Sequence, residues 1–391
     1  MIVDRAWIAR NIGVDPATVS IPKSAFTTRA AAAPGASLDD IQRDIIDFDS
    51  EGPEGSAFLA FTKATGLSRF VDPPWPKGLA PTPATRAPAG GAKPLPQADV
   101  LIVTWTVDEG HALSRVLTPG KDSHNDYVPY THNFATLSRQ MSKGSPAVKA
   151  KRLGAFWTTT IGAKKAIVFK SESHLSQDTN KHFPASGILP NAELWKQIIG
   201  EVRPKLVLTT GTAGGIGKDC EVGDVIVSPV VRFDSTSWLK KAPFASAHYA
   251  SKAAQTKFFP QANDLFKANA SQLPPDNTRP PAITVVAPSG LSSSVVTTDF
   301  FGFDTTDNHF KLQGLGDVSE MGDAVLGLVV SEMGRSALRW IAIRNVSDPQ
   351  IKADGLTLKQ QAQIAAQIYK GFGRWSSVCS AITCWASIVA M

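Results

Sequence analysis

Cysteine is scarce in this chain. Three residues, Cys220, Cys379 and Cys384, are too few for a disulfide framework, which suits a reducing, cytoplasmic setting. Cys379 and Cys384 have no second ligand pair nearby, so no metal centre is expected. Charge is sparse too. Only 19% of residues are Asp, Glu, Lys or Arg, and no run of five basic residues occurs. Nucleic acid is therefore not an expected partner, while a net charge of +6 leaves small anionic substrates open. Long hydrophobic runs are missing. The apolar tail Val378–Met391 falls short of the roughly 20 residues that span a bilayer. No membrane partner is expected, and the tail reads as a packed terminal segment or an oligomer contact. No apolar stretch stands behind Asp4, Arg5 and Arg10, so no secretory leader is expected. What is present is a 391-residue chain with 43% apolar residues, enough for a sizeable core.

Composition divides the chain. Residues 1–71 form an N-terminal extension, in which Ser37, Asp39 and Asp40 start a short helix reaching Phe48. Asp72-Pro73-Pro74-Trp75-Pro76 opens a Pro/Ala/Gly-rich stretch over 72–97 that reads as a linker or a wrapping arm. Residues 98–374 carry the main domain, and 375–391 the apolar tail. In the main domain, apolar runs at Val100–Val103, Ala166–Phe169, Leu206–Thr209, Val225–Val230, Ile283–Ala287 and Trp340–Ile343 read as buried strands. Helical patterns lie at Glu109–Leu117, Ala192–Val202, Asp323–Met333 and Leu358–Tyr369. Strands alternating with helices predict an α/β fold on a mixed or mostly parallel central sheet. The polar segment Thr118–Arg152 reads as a lid or an oligomer arm.

The most informative segment is Gly211-Thr212-Ala213-Gly214-Gly215-Ile216-Gly217, between the strand ending at Thr210 and Val222-Gly223-Asp224-Val225. It reads as a tight glycine turn between two strands. It is not a Walker loop, because Thr212 stands where the first glycine belongs and Asp219 where the hydroxyl belongs. Nor is it a dinucleotide fingerprint, because Cys220 takes the third glycine's place and a strand rather than a helix follows. Three further segments join it: Trp105-Thr106-Val107-Asp108-Glu109; Asp299-Phe300-Phe301 with Ser319-Glu320-Met321-Gly322-Asp323; and Arg344-Asn345-Val346-Ser347-Asp348. Acids at the carboxyl ends of strands are where α/β sheets collect ligands.

Taken in order, these segments resemble the nucleoside phosphorylase/nucleosidase superfamily, and most of all its methylthioadenosine/S-adenosylhomocysteine nucleosidase type. The resemblance covers Ala98–Gly371 and leaves residues 1–97 without a counterpart. It implies a three-layer α/β/α sandwich with a mixed sheet, and an enzyme that cleaves the N-glycosidic bond of a purine nucleoside or nucleotide. Asp348 takes the place of the acid that protonates the departing base, with Ser347 beside it. Read alone, either residue also suits a helix cap. Thr212, Ala213 and Gly214 line the site, and Phe301 takes the base-facing aromatic position. Glu320 and Met321 fall in the ribose-binding segment. Its second acid comes one position late, as Asp323, which is assigned the ribose hydroxyls. Met321 and Phe301 also suit plain core packing. His174 reads as a solvated loop residue or a further substrate contact.

The same resemblance sets hydrolysis against phosphorolysis. Glu109 stands at the position of an acid that orients water, where phosphorylases of this type carry an arginine. A carboxylate there repels phosphate, although Glu109 also suits the start of a helix. Hydrolysis is favoured, with no cofactor. If the enzyme is a phosphorylase, phosphate is co-substrate, and Arg139, Arg152 or Arg232 is expected to supply its site. A binding module with little catalysis is the third reading. The family resemblance also implies a homo-oligomer.

Overall fold

The computed structural model describes residues 1–12, 70–175, 189–234, 244, 247–252, 257–289, 292–335 and 337–391. The helix expected over Ser37–Phe48 lies outside these residues. The centre is a mixed β-sheet. Arg339–Asp348 runs parallel to Leu206–Gly215, which runs parallel to Val100–Thr104, and Val100–Thr104 runs parallel to Lys164–Ser171. Gly154–Ile161 and Val225–Ser228 join antiparallel. The parallel strands are buried along nearly their whole length, which explains their unbroken apolar runs. Helices Val107–Leu117, Pro190–Val202, Asp323–Glu332 and Leu358–Val389 cover the sheet, with two large apolar clusters between the layers.

Leu206–Gly215 corrects the expected glycine turn. It is one ten-residue strand that runs through the glycines. Its first four residues pair with Val100–Val103, whereas Gly214 and Gly215 pair antiparallel with Ser319 and Val318. Between these two partners the ladder on that edge is interrupted over Thr210–Ala213, and there the site forms. The chain reverses later, between Gly217 and Gly223, both at positive φ.

The apolar tail is the second half of the terminal helix. Leu358–Val389 is a single 32-residue helix, started by a capping box between Thr357 and Gln360. Gly371, Gly373 and the serines that follow lower intrinsic propensity, which is why the sequence pattern ends at Tyr369. Burial against the sheet overrides that preference, and Thr383 and Ser387 donate to carbonyls four residues back. No helix among the described residues is long and apolar enough to cross a membrane. Trp385 is completely buried, packs against Trp75 with ring centroids 5.0 Å apart and planes tilted by 45°, and donates its Nε1–H to the Leu79 carbonyl. The proline-rich stretch thus lies along the domain, with Thr82–Pro83 paired to Gly154–Ile161. Truncating Trp385 to Ala should cost about 3–5 kcal/mol of stability. A loss below about 1 kcal/mol in chemical denaturation would show that the tail is not core.

The segment 118–152 is also built into the domain. Val128–Tyr130 pairs with the sheet, and the Tyr130 hydroxyl donates to Glu201. At the other end of the chain, Ile2–Val3 pairs with Gln350–Ile351, two residues beyond Asp348.

Candidate active site

A cavity of about 700 Å3, counting its open mouth, lies where the Leu206–Gly215 strand changes partners. Its walls include Glu109, Thr212, Ala213, Gly214, Phe301, Glu320, Met321, Ser347 and Asp348. Side chains from four sequence segments therefore converge on one space.

Glu109 is fixed by the local sequence. Thr106 caps the Val107–Leu117 helix, and Glu109 completes the capping box. Its Oε2 accepts from Thr104 Oγ1 at 2.8 Å and from the amides of Trp105 and Thr106 at 3.0 and 2.9 Å. Its Oε1 accepts from the amide and hydroxyl of Thr212 at 2.7 and 2.8 Å. The Thr212 amide lies in the interrupted stretch of the ladder, so the carboxylate stands in for a strand neighbour. Cap and site roles thus coexist, one on each oxygen. Burial pushes the Glu109 pKa up, but Arg344 and the three amides outweigh it and hold the carboxyl below its ordinary range. Gly211 makes the approach possible. Its φ is +145°, and a Cβ there would stand 2.3 Å from the Glu109 carboxyl carbon.

Asp348 is the opposite case. It ends the Arg339–Asp348 strand, a bulge separates it from Val346, and it faces Gly214 across the ladder. The next helix starts at Leu358 behind its own cap Thr357, so neither Ser347 nor Asp348 is a helix cap. The Ser347 hydroxyl donates to Oδ1 at 2.7 Å, while the buried Oδ2 has no hydrogen-bond partner among the described residues. Burial, only partly offset by Ser347, pushes the Asp348 pKa up to about 7. Two carboxyls in one cavity are thus driven apart, one anionic and one poised to carry a proton. Gly214 is needed between them, because a Cβ there would meet the Gly302 carbonyl at 2.6 Å and Asp348 Oδ2 at 3.1 Å.

Arg344 opens the Arg-x-x-Ser-Asp segment, and its function was not legible from the sequence. Its guanidinium lies over the Trp105 ring at 5.0 Å, pairs with Glu320 at 3.2 Å, and grips both carboxylate oxygens of Asp323. Here the expectation for Asp323 needs correction. Asp323 is not in the cavity wall. As the first residue of its helix it turns back onto Arg344, and Glu320 is the acid that lines the cavity. Burial and the neighbouring Asp323 push the Glu320 pKa up, against Arg344, which lowers it.

His174 also departs from the solvated reading. It lines the cavity, and its Nε2 is shielded and unpartnered among the described residues. Trp105, Thr106 and Tyr369 are further wall residues that the sequence did not single out. Thr106 is the cap residue of the capping box and Trp105 precedes it, a local signal that was available. Tyr369 arrives from the far end of the fold, where its hydroxyl donates to Thr106 Oγ1 at 3.3 Å. Arg139, Arg152 and Arg232 do not line the cavity, and Arg152 pairs instead with the buried Glu172 at 2.8 Å.

No curated protein matches the chain. Among solved structures, the 5′-methylthioadenosine/S-adenosylhomocysteine nucleosidase of Neisseria meningitidis, in complex with methylthio-immucillin-A, aligns at 16% identity and a TM-score of 0.45, covering 75% of this chain and 99% of that one. The futalosine hydrolase of Helicobacter pylori aligns at 13% identity and a TM-score of 0.46, covering 75% and 97%. A Helicobacter pylori 5′-methylthioadenosine/S-adenosylhomocysteine nucleosidase aligns at 14% and 0.46, covering 76% and 100%. The family model described as the phosphorylase superfamily matches residues 128–372. That match takes in Thr212, Glu320 and Asp348 and starts beyond Glu109, whose place at the site rests on geometry alone. Extending over more than half of the sequence, it establishes that the chain belongs to the phosphorylase superfamily of enzymes.

Proposed function

We propose that the protein hydrolyses the N-glycosidic bond of a purine nucleoside. One observation carries this reading: a buried Asp348, its pKa pushed up to about 7 and its Oδ2 without a partner among the described residues, shares a cavity with Glu109, whose pKa is held below its ordinary range. Breaking a sugar–purine bond places positive charge on the sugar and negative charge on the base. Asp348 delivers its proton to the base nitrogen as the bond lengthens. Phe301, next to Gly302 whose carbonyl approaches Gly214 beside Asp348, offers the base an aromatic face. Glu320, beside Met321, meets the ribose hydroxyls, while Asp323 holds Arg344 in place behind it.

Thr212 spends its hydroxyl proton on Glu109 and presents its lone pairs to a water. Water oxygen attacks C1′, the base leaves as a neutral N–H species, and the water's proton passes to the Glu109–Thr212 pair. A strongly hydrogen-bonded carboxylate is a weak base. That suffices, because a sugar cation makes the arriving water acidic.

Phosphate is disfavoured on electrostatic grounds. Among the described wall residues the cation is Arg344, and it is already engaged by Asp323 and Glu320. A phosphate dianion would also meet Glu109. The test is a purine nucleoside panel with and without phosphate. Free base and free sugar without phosphate are expected; sugar 1-phosphate formed only with phosphate would replace this reading with phosphorolysis. The pH dependence follows from the two acids. The acid must be protonated and Glu109 ionised, so kcat/KM should fall tenfold per pH unit above about 7 and hold steady down to about pH 5. Activity that rises from pH 7 to 9 would contradict Asp348 as the acid.

A further inference from the structure

We infer that Asp304, acting through Gln350, is a positioning residue that holds the acid Asp348 at its place in the cavity wall. This rests on the glycosidase reading and adds to it the parts that keep the acid in place.

Pro349 follows Asp348 and has no N–H to continue the ladder, so the strand that carries the acid ends there. The chain beyond it is fixed at Gln350–Ile351. Ile2–Val3 runs parallel to these two residues, and Thr305 bridges Ile351 from the other side. The Ile351 amide donates to the Asp304 carbonyl, the Thr306 amide to the Ile351 carbonyl, and the Lys352 amide to the Val3 carbonyl, each at 2.9 Å. Side chains complete the junction. Gln350 Nε2 donates to Asp304 Oδ2 at 2.7 Å, and the Gly217 amide donates to the same oxygen at 2.8 Å. Gln313 Nε2 donates to Oδ1 and Oδ2 at 3.0 and 3.2 Å.

Asp304 and Gln350 are buried, and neither lines the cavity. Yet the Asp304 carboxylate gathers three segments that do line it. Phe301 and Gly302 stand just before Asp304, Gly214 just before Gly217, and Asp348 just before Gln350. These side-chain and amide partners are all donors, so an acceptor-only carboxylate serves every one of them, and losing it would leave buried donors unpaired. Asp348 depends on such support because its own side chain has little. Ser347 gives it one hydrogen bond, and its Oδ2 has no partner among the described residues. On its N-terminal side the ladder to Gly214 is bulged. Its position is therefore set by the junction that follows it. Displacing a catalytic group by about 1 Å costs on the order of 10^2-fold in rate. Loosening the wall would also admit water to Oδ2 and weaken the burial that keeps the carboxyl neutral.

The test is a cycle of the native chain, Gln350→Met, Asp348→Asn and the double variant. Met keeps the length of Gln350 and removes its donor. Gln350→Met should lower kcat on a purine nucleoside at least about tenfold, with KM within about threefold of native. In the Asp348→Asn background the same change should cost no more than about threefold, because the acid it positions is gone. A smaller loss in the native background would overturn the inference. So would a larger one in the Asp348→Asn background, which marks a purely structural role. A second readout needs no activity: the stability that Asp348→Asn gains between pH 5 and pH 8, followed by chemical denaturation. With Gln350→Met present, that gain should shrink to half or less of its size in the native background, and a gain that stays larger would overturn the inference. Release of no base from any purine nucleoside by the native chain would remove the glycosidase reading instead, and the denaturation cycle would still decide whether Gln350 holds Asp348. If Gln350→Met does not fold, Gln350→Ala takes its place in the cycle with the same outcomes.

Discussion

Asp348→Asn should lower kcat by about 10^2–10^4-fold, the usual contribution of a positioned general acid, while making the protein more stable at alkaline pH. The two effects have one cause. The folded-state pKa of Asp348 is raised to about 7, well above its unfolded value. Its contribution to stability is therefore complete below about pH 4 and is lost as pH rises to about 7, because the unfolded chain ionises first. Asn stays neutral and suffers no such loss. Each pKa unit is worth about 1.4 kcal/mol, so the variant should gain on the native protein by about 3 kcal/mol between pH 5 and pH 8. Denaturation midpoints at the two pH values, with turnover on a purine nucleoside, check both halves. Turnover within tenfold of native would remove Asp348 from catalysis. A stability difference that does not change with pH would mean that its carboxyl is not held in the neutral form.

Gly211→Ala should abolish most activity although Gly211 does not itself line the cavity. The added Cβ would fall 2.3 Å from both the carboxyl carbon and Oε1 of Glu109, at a φ of +145° that L-residues rarely adopt. Either the strand or Glu109 must move. Displacing a catalytic group by about 1 Å costs on the order of 10^2-fold in rate, and the backbone strain adds about 1–3 kcal/mol of lost stability. A double-mutant cycle separates the two contributions. In Glu109→Ala/Gly211→Ala the clash is gone, so the pair should be more stable than the sum of the single losses predicts. Strict additivity, or a Gly211→Ala enzyme within fivefold of native, would show that the close approach does not position Glu109.

What could be read from the chain follows the range of the interactions involved. Apolar runs such as Val100–Val103 and Leu206–Thr209 announced buried strands, because burial on both faces leaves no room for alternation. The Glu109 capping box is also a local pattern, since its partners lie within five residues. Elements whose form depends on distant partners were misread. The glycines at 211–215 suggest a turn when their neighbours are unseen. In the fold they are strand residues, two of them kept small so that the Glu109 carboxyl and the Gly302 carbonyl can approach. The terminal helix seemed to stop at Tyr369, because the sheet that buries its second half does not appear in helix propensity.

The sequence by itself determined the alternation of strands and helices, the order of the segments that carry the acids, and the family they resemble. Their division of labour was decided by tertiary structure. Arg344 and Asp323 stand 21 positions apart, and only their pairing shows that Asp323 serves the arginine while Glu320 faces the cavity. Glu109 and Asp348 are both carboxyls, and their local partners account for only part of the difference between them. One receives five hydrogen bonds and the field of a guanidinium, the other a single hydroxyl, with its second oxygen unpartnered among the described residues. The ionisation of a buried acid is set by the dipoles and charges packed around it, and for Glu109 the Thr212 bonds and the Arg344 guanidinium arrive from remote parts of the chain.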